Sequence, residues 1–570
     1  MSTIPAEYLP PKEYRPQRIY KLKEFESYPD PLNSTEELLD KQVAAGKGDS
    51  RAVLIDDRVI TYKQLLGASN KVGNALKNLG VEEADRVMLR SPNVPPALFT
   101  NFGVLKLGAV IVPTSPMLSP NEIAHIANNA EAKVIVVAAA FLEGVVKARP
   151  NLKTVKHVIV FGGQPEEVKA QGLLAYESLV ENESPVLDPV RRPRTAVSVL
   201  LYTSGTTGMP KGTAHYVEEA LIVPDTFGKY GWKVGPDDII CGPAPISLAA
   251  GYSTVATIPF RFGAAASLIP KFTPEALFET IQSHKVTVLS ALPTAYRKML
   301  EVPDAEKKYD LSSLRVLTGG GESLTAKTYL DWKARFGQEI YEGLGTTEMM
   351  YVFVSSVVTR KVKPGAIGTA VPGYEIQVVT EEGKVAKPGE LGRLYARGPT
   401  GTLYWRPLEE GGSLLEKQKS LIREGWVLVG DFVTTDEDGY ISFVSREEDL
   451  IKSSGYRIGP EEVEDALLKH PAVADAGVIG VPDTIRGQNV KAFVILKPGY
   501  APSDELKQQI IDSCREHIAI YKLPRIVEFV AELPRTPQGK LLRRILRDKD
   551  LAAASNVVSR SPGGASSIQP

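Results

Sequence analysis

Residues 197–202, Val197-Ser198-Val199-Leu200-Leu201-Tyr202, run straight into Thr203-Ser204-Gly205-Thr206-Thr207-Gly208-Met209-Pro210-Lys211-Gly212. A β-type apolar run followed by small and hydroxyl residues has the layout of a phosphate cradle. Residues without bulk let the backbone turn tightly enough to aim several N–H groups at one anion, hydroxyls add donors, and Lys211 adds positive charge. By composition alone the same tract also reads as a flexible loop. A Walker A loop requires Gly-Lys followed by Ser or Thr. None of the pairs Gly46-Lys47, Gly228-Lys229, Gly383-Lys384 and Gly539-Lys540 has that follower, which argues against ordinary kinase or GTPase chemistry.

The 570 residues are enough for about three or four compact units. Hydrophobic residues make up 43% and charged residues 24%, with a net charge of -1, so the Lys/Arg surplus of a nucleic-acid binder is missing. Cys241 and Cys514 stand far apart, in neither a disulfide framework nor a metal-ligand spacing, which points to a reducing compartment and so to the cytoplasm. No apolar run reaches the roughly 18 residues of a membrane span, and the start, rich in Pro, Glu and Lys, lacks a signal-peptide core. Neither export nor membrane insertion is expected. Residues 551–570, rich in Ala, Ser, Gly and Pro, read as a disordered tail.

Helix and strand signals alternate through the first 440 residues or so, the mark of α/β layers with largely parallel sheets. Ser119, Pro120 and Glu122 predict a helix start, with a strand over 133–138 behind it. Thr273-Pro274 opens another helix ending near His284, followed by a strand over 286–292. After Arg446 a shorter α+β unit begins. Gly459-Pro460 starts a helix whose Val463, Ala466 and Leu467 share a face; strands over 473–480 and 490–496 follow, and a helix from Ser503-Asp504-Glu505 runs towards Cys514. The charged run Arg446-Glu447-Glu448-Asp449 marks the junction, although a charge run by itself is usually a solvated face.

The glycine-bounded tract closely resembles the signature of the adenylate-forming superfamily, which contains acyl-CoA synthetases, adenylation domains of peptide synthetases and luciferases. Further segments resemble that superfamily in the same order: Gly319-Gly320-Gly321-Glu322-Ser323, Gly343-Leu344-Gly345-Thr346-Thr347-Glu348, the Asp431 segment, residues 451–457 and Pro537-Gln538-Gly539-Lys540. The likeness covers about Asn33 to Leu546. It implies a large N-terminal domain of several α/β layers (1–445) and a small mobile α+β C-terminal domain (446–550). It also implies ATP, Mg²⁺ and coenzyme A alongside a small carboxylic acid, in a monomer or homodimer.

The resemblance assigns roles residue by residue. Thr203 to Gly208 and Lys211 would take the phosphates, Gly319 to Ser323 the adenine, and Gly345 and Thr346 would belong to the nucleotide site. Thr347 would contact the α-phosphate, and Glu348 would bind Mg²⁺. Asp431 would accept from the ribose hydroxyls, a task for two acceptors on one side chain, with Arg446 beside it. Glu448 stands at the hinge position, where Asp or Lys is more familiar. Lys540 would reach the α-phosphate and the acid during adenylation. Lys452, Gly455, Tyr456 and Arg457 would form the thioester face, Gly455 leaving room for pantetheine.

Gly343 to Phe353, with Asn33, Glu37-Leu38-Leu39-Asp40, Arg397-Gly398-Pro399-Thr400-Gly401 and Tyr404-Trp405, is most similar to the benzoate and 2-aminobenzoate CoA ligases. The expected acid pocket comprises His215, Tyr216, Ala250, Gly251, Tyr252, Gly321, Gly345 and Met349, although Tyr216, Tyr252 and Met349 read equally as core packing and His215 equally as a structural histidine. Many relatives carry an aromatic residue and His after Pro245; here residues 246–251 have neither, which leaves room for a flat ring. The alternatives are a short or medium aliphatic acid, an adenylation enzyme that loads a carrier protein, and a nucleotide-binding sensor.

Overall fold

The computed structural model describes residues 9–203, 209–401, 403–406, 413–453, 456–483, 486–535 and 541–558. Local signals set many of its elements. Ser119 Oγ accepts from the Glu122 amide at 3.4 Å and Glu122 Oε2 accepts from the Ser119 amide at 2.8 Å, a reciprocal cap on helix Pro120–Asn129. Thr273 Oγ1 accepts from the Ala276 amide at 3.1 Å and starts helix Pro274–His284. The strand after it, Val288–Ala291, is shorter than expected.

The chain divides into two compact units, Met1–Val429 with Thr435–Ser442, and Gly430–Thr434 with Phe443–Pro570. Asp431 belongs to the smaller unit.

Among its described residues the larger unit is built on two broad sheets. The first runs Leu403–Tyr404, Lys211–Tyr216, Val197–Thr203, Val110–Thr114, Arg86–Arg90, Ala132–Ala138, His157–Phe161, Leu174–Ala175. The second runs Thr369–Ala370, Val352–Ser355, Ile340–Gly345, Val316–Gly320, Val288–Ala291, Ile239–Cys241, Ala265–Ser267, Arg51–Ile55, Arg58–Thr61. In both the central pairings are parallel, as helix crossovers demand. A smaller sheet orders Glu375–Val379, Gly392–Arg397, Trp426–Thr435 and Ile422–Arg423. Met88, Ile123, Ile126, Val137, Val160 and Leu200 lie in one buried cluster, and Ile281, Leu289, Leu317, Trp332 and Ile340 in another. Each such side chain contributes roughly 1.5–3 kcal/mol when fully buried.

The smaller unit carries its own sheet, Tyr456–Ile458, Ile451–Ser453, Gly487–Leu496 and Val473–Asp483, with Ile526–Phe529 parallel to Gly487–Leu496. Helices Pro460–Leu467 and Asp504–Cys514 cover it, burying Val463, Leu467, Ile510 and Cys514 against Val478 and Val494.

One expectation needs correction. Helix Arg543–Val558 runs through the start of the segment read as a disordered tail, because Ala552, Ala553 and Ala554 have high helix propensity and extend a helix already nucleated. Residues 559–570 lie outside the described residues. Among the described residues no helix is long and apolar enough to cross a membrane.

Candidate active site

The anion tract connects two antiparallel strands, with Thr203 paired to Lys211 across its base. Ser204 to Gly208 lie outside the described residues, so the geometry comes from the hairpin's ends. Lys211 forms no ion pair with any described residue. Behind it, His125 on helix Pro120–Asn129 donates from Nε2 to the Pro210 carbonyl at 2.9 Å, and the Tyr202 hydroxyl donates to Asn129 Oδ1 at 2.7 Å. The cap at Ser119 therefore anchors a helix whose last turns brace the hairpin.

On the second sheet the candidate residues collect at the carboxyl ends of two adjacent parallel strands, where ligands of α/β sheets bind. Gly319 pairs with Glu342 and Gly320 with Gly343. Gly321 has φ +83°, open to glycine at no steric cost. A Cβ at Gly345 would lie 2.4 Å from the Tyr351 carbonyl oxygen, so only glycine lets the strand end pass the following chain. Glu322 accepts from Thr294 Oγ1 at 2.6 Å and from Arg297 at 3.3 Å, while its other carboxylate oxygen is buried without a hydrogen-bond partner among the described residues. Ser323 is half-buried beside it.

Thr346 Oγ1 accepts from the Met349 amide at 3.2 Å and caps the short turn Thr347–Met349. That turn lifts Glu348, half-buried, out of the strand. Its Oε1 accepts from the Tyr404 hydroxyl at 3.0 Å. Tyr404 belongs to the first sheet, pairing with Thr213 on the strand that leaves the anion hairpin. One hydrogen bond thus ties the Glu348 turn to the hairpin's sheet. Burial, and after it the Glu348 charge, pushes the Tyr404 phenol well above its ordinary value, so it stays a donor.

Among the described residues there is no group of three or more His, Cys, Asp or Glu that could hold an ion. A single hard carboxylate with one oxygen left over fits Mg²⁺, which takes one or two carboxylates together with substrate phosphates.

Of the eight residues expected in the acid pocket, His215, Gly251, Tyr252 and Met349 are buried in this structure and the other four are half-buried or exposed. His215 is fully buried, with Nδ1 2.8 Å from Glu219 Oε2 and Nε2 3.1 Å from Thr213 Oγ1, so both nitrogens are engaged. Tyr252 is buried and donates to Asn101 Oδ1 at 3.0 Å. Met349 is 0% exposed. These three present no open face to a ligand in this structure. Gly251 packs under Pro245, where a Cβ would meet the carbonyl oxygen at 2.0 Å. Ala250 and Gly345 are half-buried, Gly321 is exposed, and the half-buried Tyr216 ring lies 4.0 Å below the Arg18 guanidinium. The two cysteines are buried, which pushes the Cys241 thiol up to about 12 and the Cys514 thiol to about 11; neither is a ready thiolate.

In the smaller unit Asp431 is fully buried and Arg446 Nη1 lies 2.9 Å from its Oδ1. Glu448 is exposed in the turn that follows. Lys452 is exposed on strand Ile451–Ser453, its amide donating to Gln488 Oε1 at 2.7 Å. Tyr456 stacks on Tyr521 with centroids 4.1 Å apart, and Arg457 lies 5.9 Å from the Phe432 ring. Gly455 and Lys540 fall outside the described residues. Beside Lys540, Arg535 and Leu541 form a bridge and the Leu542 amide donates to Pro534 O at 2.8 Å.

The model of the AMP-binding enzyme family matches residues 39–405, and that of the AMP-binding enzyme C-terminal domain matches residues 462–540. The chain belongs to the AMP-binding enzyme family. Acetyl-coenzyme A synthetase of Bacillus subtilis (strain 168) is 33% identical over 533 residues, 91% of each chain. Benzoate–CoA ligase of Thauera aromatica is 31% identical, over 91% of this chain and 96% of that one. Among solved structures, an anthranilate CoA ligase in complex with anthranoyl-AMP superposes with TM-score 0.87 at 33% identity, over 94% of this chain and 100% of that one. This AMP-binding enzyme is an ATP-dependent, AMP-forming acyl-CoA ligase.

Three residues of this AMP-binding enzyme have a structural part that the local sequence does not specify: His125, Tyr404 and Arg18. His125 carried a weak signal, as a histidine one turn before the end of a capped helix. Tyr404 lies in a segment that resembles the benzoate-type ligases, but its bond to Glu348 spans 56 residues.

Proposed function

We propose that this ligase activates a small aryl carboxylic acid, benzoate or 2-aminobenzoate in type, using the residues assigned above. The observation that carries the site is the Tyr404–Glu348 bond, which brings the anion hairpin's sheet and the Glu348 turn to one place. The hairpin and Lys211 hold the polyphosphate of ATP, the Gly319 to Ser323 segment meets the adenine, and Asp431 with Arg446 serves the ribose. A carboxylate oxygen of the acid attacks the α-phosphorus; the new O–P bond forms as the bond to pyrophosphate breaks. Negative charge grows on the equatorial oxygens, and the Thr347 hydroxyl and the Lys540 ammonium stabilise it. Mg²⁺, held by Glu348, would neutralise phosphate charge when bound.

In the second step the sulfur of CoA attacks the acyl carbon, forming a C–S bond as the C–O bond to AMP breaks, and the thiol proton leaves to solvent. Lys452, Gly455, Tyr456 and Arg457 supply the face for this step, with the smaller unit turning about Glu448 between the two. The aryl reading is supported by the likeness to a benzoate–CoA ligase and an anthranilate CoA ligase, and by the lack of aromatic or His residues over 246–251. An acetyl-coenzyme A synthetase at 33% identity favours a second reading, a short aliphatic acid. Thioester detection with benzoates, aminobenzoates, hydroxybenzoates and fatty acids decides: the aryl reading expects at least about tenfold higher kcat/KM for an aryl acid. A preference for acetate or a fatty acid would overturn it.

A further inference from the structure

The arm that precedes the first strand of the larger unit touches the candidate site's supports twice. The Arg18 guanidinium, 11% exposed, donates to the Pro399 carbonyl at 3.1 Å, the Gly401 carbonyl at 2.7 Å and Glu219 Oε1 at 2.5 Å. The two carbonyls flank Thr400. Thr400 Oγ1 donates to the Met349 carbonyl at 2.9 Å and receives the Tyr374 hydroxyl at 2.9 Å. Four residues earlier, the Tyr14 carbonyl accepts from Gln418 Nε2 at 3.0 Å, and Gln418 Oε1 accepts from the Tyr404 amide at 2.9 Å. Gln418 is fully buried, and the hydroxyl of the same Tyr404 reaches Glu348. Two hydrogen-bond chains that start on the arm therefore end on one three-residue turn, Thr347–Met349.

The anchoring is strong where it begins. Burial works against the Arg18 charge more than any one neighbour favours it, but Glu219, Tyr216, Tyr20 and Glu218 together outweigh that cost and hold the guanidinium above its ordinary pKa; Glu219 is held below its own by Arg18 and then His215, against burial. Only a planar fork with five donors can take two carbonyls and a carboxylate together while stacking on Tyr216.

We infer that Arg18 is a positioning residue for adenylation: it fixes the carbonyls on either side of Thr400, and through Thr400 the turn that presents Glu348 to the nucleotide. This rests on the proposed role of Glu348. A purely structural arginine would serve only to neutralise Glu218 and Glu219, which lie 3.8 Å and 2.5 Å from it.

The test uses the full chain as wild type, Arg18→Lys, Arg18→Met and Thr400→Val, the last of which leaves the Arg18–Glu219 pair in place. Amide exchange in the ligand-free protein reads the turn directly, since the Met349 and Met350 amides donate to Thr346 and Thr347. Both Arg18→Met and Thr400→Val are expected to speed exchange of these amides by about tenfold, with strand Val316–Gly320 unchanged and Arg18→Lys in between. They are also expected to lower kcat for acid-dependent ATP–pyrophosphate exchange by about tenfold, with KM for the acid and thioester formation from supplied acyl adenylate within about twofold of wild type. Unaltered turn exchange, or an equal loss in both half reactions, overturns the inference. Should Arg18→Met fail to fold, Thr400→Val alone decides, and wild-type behaviour of that variant overturns it. A wild-type protein without pyrophosphate exchange would instead defeat the adenylation reading, and the amide data would still judge the positioning.

Discussion

Tyr404 stands on the hairpin's sheet and Glu348 follows a strand of the other, so their hydrogen bond joins the candidate residues of the two sheets. A hydrogen bond to a charged group contributes about 1.5–3 kcal/mol. Tyr404→Phe is accordingly expected to lower kcat/KM for ATP by about tenfold or more, while Glu348→Gln raises the Mg²⁺ concentration needed for half-maximal rate. Steady-state kinetics across a Mg²⁺ titration checks both, and an unaffected Tyr404→Phe would remove the bond from the account. His215 gives the contrary lesson. A histidine just past an anion tract reads equally as a pocket contact and as a structural residue, and here Glu219 and Thr213 engage both nitrogens, a burial that leaves no mark in the local sequence. Arg18 was invisible for a related reason: its carbonyl and carboxylate partners lie 201 to 383 residues away.

Elements were legible where their determinants are local. The Ser119 and Thr273 caps, the Gly459-Pro460 start and the acidic first turn after Ser503 each lie within four residues of the helix they begin, and each helix formed there. Helix Arg543–Val558 continues past residue 550 although the composition there suggests a tail, since consecutive alanines extend a helix already begun. Its start carries a further consequence. Arg543 meets Glu464 at 2.7 Å, Glu461 at 2.8 Å and Asp449 at 3.4 Å, so three carboxylates face one guanidinium, with Arg547 also on Asp449. Burial raises the Glu461 carboxyl to about 7 against the pull of Arg543, and Glu464 is raised as well. A group with a raised folded pKa holds its proton in the folded state after the unfolded chain has lost it, so its contribution to stability falls as pH rises from about 4.5 to about 7. Glu461→Gln removes that proton equilibrium. Its Tm relative to wild type is expected to rise by roughly 2–4 °C between pH 5 and pH 7.5, measured by calorimetry. A pH-independent difference would contradict the assignment.

At the scale of the whole molecule, the two compact units divide the proposed chemistry. Lys540 and Gly455 both belong to the smaller one, yet the reading gives them opposite halves of the reaction. Lys540→Ala is expected to reduce acid-dependent pyrophosphate exchange by about a hundredfold or more while thioester formation from supplied acyl adenylate stays within a few-fold of wild type. Gly455→Leu is expected to do the reverse, because under the proposed role of Gly455 a side chain there would fill the pantetheine path. Fold class and family were legible in the sequence because the anion tract, the two glycine segments and the final Lys are short contiguous motifs. How those motifs are buttressed was not, since hydrogen bonds such as Tyr404 to Glu348 and Gln418 to Tyr14 join segments that only the fold brings together. The most direct measurement is pyrophosphate exchange into ATP by the purified chain with an aryl acid and no CoA. The account expects exchange that depends on the acid, with AMP and thioester appearing once CoA is added; ADP as the nucleotide product, or exchange that waits for CoA, would contradict it.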